Sequence, residues 1–275
     1  RLSPETFVMT NVSGDNLHSL AQLTATTGAT FDNCSATQTG SFIGVNGGGG
    51  VYTITNCSFE SHPDKTDGYA YREKSNSTAV ATLTNNTFKA ADAIILGSAG
   101  TVNVESGTYV GEISKTAGSI VISGGHFSTP LGNEAYADFI AVGYIGMNNI
   151  YSDDEAAPNG VVSSDMAVMY TAANGKVTFL ASLPPAFSTG TYKLLKDITR
   201  TTRMTPGITA SDVILDLNGH TLTSTVTDCA VLLSRAGKES AHKTFAIIDS
   251  SDEKGGKLMV NSEANLAIEV SGKNN

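Results

Sequence analysis

The stretch YTITNCSFE, Tyr52 to Glu60, decides how this chain is read. Asn56-Cys57-Ser58 fits the Asn-x-Ser/Thr acceptor pattern for N-glycans. The same residues also read as a strand, Val51 to Thr55, that runs into an asparagine corner. The rest of the chain arbitrates. FVMTNVSG sets Asn11 before Val12-Ser13, ATFDNCSA sets Asn33 before Cys34-Ser35, and ATLTNNTFK sets Asn85 before Asn86-Thr87. VNVESGTYV and IVISGGHFS follow the same outline with Ser106 and Gly124 at the corner. An aromatic stands three residues after the corner at Phe59, Phe88, Tyr109 and Phe127. The corners are 22, 23, 29, 21 and 18 residues apart, and a period of about 20–30 residues marks a solenoid. Four acceptor-like triplets at one repeat position favour a structural need for Asn, a residue that tolerates the left-handed conformation of a tight corner. Asn76-Ser77-Thr78 lies off the repeat and is the better glycan acceptor candidate.

Composition agrees with strands and turns. Of the 275 residues, 28 are Gly and none is Trp, and only 16% are charged, against about 25% in an average chain. Ser, Thr, Asn and Val are abundant, a mixture poor for helices and good for pleated strands. The net charge of −9 argues against nucleic acid or an anionic membrane surface as partner. No apolar run approaches the ~20 residues that span a bilayer, so no membrane insertion is expected. The chain opens on Arg1 without a leader-like segment and reads as a processed product. Low Lys with high Ser, Thr and Asn is consistent with an extracellular or cell-surface location.

Three cysteines do not make a disulfide framework. Cys34 and Cys57 share one repeat position. Stacked strands lie about 4.8 Å apart, which a disulfide tolerates; an unbonded stack of buried thiols is the blander expectation. Cys229 has no evident partner.

Residues 1–128 read as solenoid coils built of short alternating strands, such as Ala79 to Thr84 and Ser119 to Ser123. Each strand is expected to pair in parallel with its equivalent one period away, with the aromatics closing the corner and Asn11, Asn33, Asn56 and Asn85 aligned in one ladder. Residues 129–189 break the period and read as a cap or connector. Asn133 to Gly146 is a helix-or-cap candidate, Tyr151 to Gly160 an acidic loop, and Met166 to Leu183 a hairpin turning at Asn174-Gly175. A second strand series fills 190–275, with Leu217-Asn218, Ile248-Asp249 and Val270-Ser271 as equivalent corners.

YKLLKDIT, VILDLNGHTLT and FAIIDSSDEKGGKL together resemble the opening coils of right-handed parallel β-helix domains of secreted or surface-attached bacterial proteins, in the pectate-lyase-like superfamily. IVISGGHFSTPLGNEAYADFIAVGYIG resembles the segment that closes such domains. The resemblance covers about 190 of the 275 residues. It implies an all-β fold, a right-handed parallel β-helix in two segments with an irregular connector. The closing motif precedes the opening one, as if the end of one solenoid were joined to the start of another.

The chemistry that the resemblance implies is incomplete in this chain. Enzymes of that superfamily use Asp clusters with calcium, an Asp-Asp pair, Gly-His-Gly and Arg-x-Lys. Here Gly219-His220 is followed by Thr221. Asp153-Asp154-Glu155 and Asp249 to Gly256 read as solvated turns, with weak calcium binding as the alternative. His18, His62, His126, His220 and His242 lack metal-ligand spacing, and Gly44 to Val51 reads as a flexible loop. No catalytic residue, metal site or cofactor is expected. Tyr69, Tyr71 and Tyr109 are the candidates for an exposed aromatic face that binds polysaccharide.

The functional expectation is therefore a non-enzymatic extracellular structural protein whose partners are copies of itself. Leu266, Ile268 and Val270 alternate on one face of NLAIEVSG, where an uncapped terminal strand recruits another chain. A carbohydrate-binding adhesin domain, and a polysaccharide lyase or hydrolase with a non-standard site, stand as alternatives. A fragment cut from a longer surface protein explains the same ends.

Overall fold

The structure is a computed structural model and describes residues 6–24, 27–74, 76–151, 153–206, 212–227, 229–235, 244–260 and 266–272. The chain is all-β with predominantly parallel sheets, and the single helical element among the described residues is a 3-10 turn, Glu134–Phe139. It divides into two compact units, Arg1–Ser163 and Ser164–Asn275.

In the first unit, the strands predicted from the repeat form one six-stranded sheet. Its order is Phe7–Thr10, Gly28–Asp32, Val51–Thr55, Val80–Thr84, Thr101–Val104 and Ser119–Ile122, each parallel to the next. Strict register sorts the side chains into rows. Ala29, Tyr52, Ala81, Val102 and Ile120 make one buried row, and Phe31, Ile54, Leu83, Val104 and Ile122 another. The intervening positions, Thr30, Thr53, Thr82 and Asn103, face outward, which is the period-2 arrangement of a sheet with one buried face.

The residues after each corner enter a second, 11-stranded sheet. Ser13–Asp15, Ser35–Thr39, Ser58–Ser61, Asn86–Leu96, Gly107–Lys115 and His126–Phe127 follow one another in parallel. Ser19–Thr24, Ser41–Asn46 and Tyr69–Glu73 form a further parallel run that joins the distal half of Asn86–Leu96. Gly44 therefore lies within a strand, not in the loop read from the sequence. A Cβ at Gly44 would meet the Gln22 side-chain amide lying across it.

The segment read as a helix or cap makes only the short 3-10 turn. Gly143, at φ 85°, turns the chain, and Tyr144–Met147 then pairs antiparallel with Asn159–Ser163. Tyr144–Met147 becomes a strand because Asn159–Ser163, which pairs antiparallel with His126–Phe127, offers it the other edge.

In the second unit, Val168–Ala172 and Val177–Leu180 form the hairpin over Asn174-Gly175, with Gly175 at φ 84°. Gly190–Leu194 adds to it antiparallel, and Asp212–Asp216 and Thr244–Ile248 continue in parallel. A second parallel series is Ile198–Arg200, Thr221–Ser224 and Lys257–Val260. Cys229–Arg235 pairs in parallel with Leu266–Gly272. Val270-Ser271 is consequently not a corner equivalent to Leu217-Asn218 and Ile248-Asp249; it pairs with Leu233-Ser234 in mid-strand. Lys257–Val260 takes up the chain directly after the Asp249 turn, so the next repeat position falls elsewhere.

Candidate functional site

The repeated corner is held by both backbone and side-chain hydrogen bonds. Asn11, Asn33, Asn56 and Asn85 are all left-handed, at φ 57°, 51°, 56° and 53°. That conformation turns each backbone N–H along the stack, where it donates to the carbonyl of the neighbouring strand's end: Asn11 to Asp32, Asn33 to Thr55, Asn56 to Thr84 and Asn85 to Ser106, at 3.0–3.1 Å. The side-chain amides make a second line of bonds. Asn33 Nδ2 donates to Asn11 Oδ1 at 2.7 Å, and Asn85 Nδ2 donates to Asn56 Oδ1 at 2.8 Å. Asn56 Nδ2 donates instead to Asp32 Oδ1 at 3.1 Å, so the line shifts by one residue in the middle.

Behind this exposed line lies a buried one, whose two cysteines were expected from the sequence and whose asparagine was not. Cys34, Cys57 and Asn86 follow Asn33, Asn56 and Asn85, and all three are buried, whereas Val12 after Asn11 is exposed. Asn86 Oδ1 accepts from the Cys57 N–H and its Nδ2 donates to the Ile54 carbonyl, both at 2.9 Å. It thereby satisfies two backbone groups that water does not reach. The signal was present as Asn85-Asn86, but the sequon pattern drew attention to the first Asn.

The aromatics placed at the corner by the sequence form a core column. Phe42 stacks on Phe59 at 5.4 Å, meets Phe88 edge-on at 5.6 Å, and the line continues to Tyr109 and Phe127 at 5.6 and 5.2 Å. Tyr109 is fully buried and donates to the Ser106 carbonyl at 2.9 Å. Tyr71 is equally buried and Tyr69 is 9% exposed, its hydroxyl accepting from Gln22 Nε2. The exposed face expected of Tyr69, Tyr71 and Tyr109 does not exist, because the strands turn their rings inward to fill the interior.

Three carboxyl groups hold special environments. Glu73 is fully buried and accepts from Tyr71 Oη at 2.8 Å, Ser98 Oγ at 2.9 Å and Ser77 Oγ at 3.1 Å. Burial pushes its carboxyl above the usual carboxylate range, against the opposing pull of those hydroxyls. Ser77 and Ser98 in turn accept from the N–H groups of Ala79 and Gly100, so Glu73 anchors two turns from the inside. Asp92 and Glu112 are register partners on adjacent strands, and burial, then the neighbouring Glu112 charge, raises the Asp92 carboxyl. Asp249 accepts from Ser251 Oγ and from the N–H groups of Gly219, Ser251 and Gly256, which hold its carboxyl well below the usual range.

The remaining polar candidates act on turns. His126 stacks on Tyr151 at 3.6 Å, and its Nδ1 lies 3.1 Å from Asp154, whose other oxygen accepts from Ala157 N–H. His220 lies 3.4 Å from Asp197. His242 lies outside the described residues. Among the described residues, no three His, Cys, Asp or Glu side chains converge as a metal site. No helix there is long and apolar enough to cross a membrane.

At the proposed assembly end, Leu266–Gly272 pairs on one side with Cys229–Arg235. Ile268 is 42% exposed; the side chains of Leu266 and Val270 lie outside the described residues. Other exposed apolar side chains on outer strands are Val8, at 68%, and Met259, at 52%. Comparison with protein-family models, with curated proteins and with solved structures finds no match.

Proposed function

We propose that this chain is a non-enzymatic structural protein of the extracellular space or cell surface, a right-handed parallel β-helix in two segments that associates head-to-tail with copies of itself. The observation that carries this reading is the corner. Its asparagines spend both backbone and side-chain amides on neighbouring strands, in a ladder backed by a continuous aromatic column. Such a stack is extended by adding another parallel strand at its edge, with the same bonds repeated. The resemblance of the strand motifs to β-helix domains of secreted bacterial proteins supports the same architecture and location. Val8 on the first strand of the described six-stranded sheet, with Met259 and Ile268 on strands of the second unit, supplies apolar surface for the contact, and strand addition at the outer edges of the described sheets continues their hydrogen bonding. A head-to-tail contact that does not close gives a filament.

Sedimentation and negative-stain microscopy across a concentration series test the reading. The expected result is concentration-dependent, linear assembly that Ile268→Lys shortens or abolishes. A protein that stays monomeric at millimolar concentration overturns it.

One observation favours a second reading, a polysaccharide-cleaving enzyme with a non-standard site. Asp92, with a raised carboxyl, beside Glu112 has the outline of an acid–base pair. Turnover of a polygalacturonate or neutral glycan that Glu112→Gln abolishes would establish it.

A further inference from the structure

We propose that Cys34 and Cys57 form an oxidative cross-linking site: a small disulfide oxidant joins their sulfurs and staples two adjacent strands at the buried corner. The inference does not depend on the function proposed above.

The two cysteines occupy one position of the repeat, each directly after a left-handed Asn. Register brackets them on both sides: Asp32 partners Thr55, and Ser35 partners Ser58. The Ser58 N–H donates to the Cys34 carbonyl at 2.9 Å, which sets Cys57 directly beside Cys34 in the stack. One strand spacing, about 4.8 Å, lies inside the roughly 4.4–6.8 Å Cα separation that a disulfide bridges. Both side chains turn to the same interior side, each 1% exposed, and both are free thiols. Cys34 Sγ lies 3.5 Å from the Asp32 carbonyl and Cys57 Sγ 3.3 Å from the carbonyl of Thr55, the register partner of Asp32, so the two thiols take the same local position. On the next strand, the equivalent side chain is Asn86, already bonded to Cys57 N–H and the Ile54 carbonyl. The geometry therefore selects one partner for each sulfur.

The chemistry is thiol–disulfide exchange. One cysteine thiolate attacks an oxidant disulfide, forming a mixed disulfide and releasing one oxidant thiolate. The second cysteine thiolate attacks the protein sulfur of that mixed disulfide and releases the other oxidant thiolate. The two protons lost by the cysteines end on the two released thiols, and the oxidant takes up two electrons. Burial pushes the Cys57 thiol up to about 11, so little Cys57 thiolate forms in the closed corner. The cross-link accordingly forms through local opening or while the strands stack during folding.

The test uses the full chain and its Cys229→Ser variant, each equilibrated in glutathione buffers from fully reduced to fully oxidised. Samples are acid-quenched, unfolded and alkylated, then thiols are counted by mass and linked peptides mapped. Expected are three alkylatable thiols in the reduced wild-type chain and one, Cys229, in the oxidised chain. The variant should pass from two to none, with a single linked pair, Cys34 to Cys57. Closing the 23-residue interval should raise the folding equilibrium constant on the order of 100-fold. Persistent free thiols, glutathione held singly on Cys34 or Cys57, or pairing of either with Cys229 overturns the proposal. Measurement on the wild-type chain decides the matter even if the variant does not fold.

Discussion

Replacing Asn56 separately by Ala and by Gly isolates what the corner asks of its residue. Asn56 sits at φ 56°, donates to Asp32 and accepts from Asn85. Both substitutions delete these two exposed hydrogen bonds, worth about 0.5 kcal/mol each at a solvated site. Alanine also pays the steric cost of the left-handed region, about 1–2 kcal/mol for an L-residue. Glycine avoids that cost and instead loses about 0.5–1 kcal/mol through the freedom of its unfolded chain. The totals are about 2–3 kcal/mol for Asn56→Ala and about 1.5–2 kcal/mol for Asn56→Gly. The order of the two variants matters more than either total, because in an ordinary strand Ala outlasts Gly. Urea unfolding followed by far-UV circular dichroism measures both, with amide exchange assigning the transition to the strands between residues 28 and 104. An alanine variant as stable as the glycine variant, or more so, would refute the claim that backbone conformation selects Asn here.

Other substitutions test the interior. Asn86→Ala leaves the Cys57 N–H and Ile54 carbonyl unpaired in the core and should cost about 2–4 kcal/mol, seen as a lower urea midpoint; a loss under 1 kcal/mol contradicts the assignment. Glu73 has a raised folded pKa, so its contribution to stability is fully present below its unfolded value, about 4.3, and is lost as pH rises through the folded value. The stability of Glu73→Gln relative to wild type should therefore increase from pH 4 to pH 8 in paired urea titrations, and a flat or falling difference overturns the sign. Gly124→Ala drives a Cβ into the Glu105 backbone carbonyl, whereas Gly44→Ala meets only the movable end of Gln22. Thermal melts should show a loss of about 2–3 kcal/mol for the first and under about 1 kcal/mol for the second.

Much of the architecture was legible in the chain because its causes are local. A left-handed corner needs a residue with a short polar side chain or no side chain, and strands bury alternate residues, so Asn spacing and period-2 runs marked the parallel six-stranded sheet of the first unit. The hairpin at Asn174-Gly175 was legible for the same reason. What the sequence could not determine depends on where each strand turns and with which strand it pairs. Tyr71 and Tyr109 looked available for a ligand, yet both lie in the core, because parity along the chain is reset at every corner. Asn86–Leu96 changes register twice, around Asp92, so no count from Asn85 brings Asp92 opposite Glu112. Glu73 meets Ser98 across 25 residues, a contact that neither residue announces. Val270-Ser271 has the outline of a corner but pairs in mid-strand with Leu233-Ser234. Conformational preference belongs to a residue and its immediate neighbours and is written in the sequence; burial and partnership belong to the register between strands, which exists only once distant segments have packed.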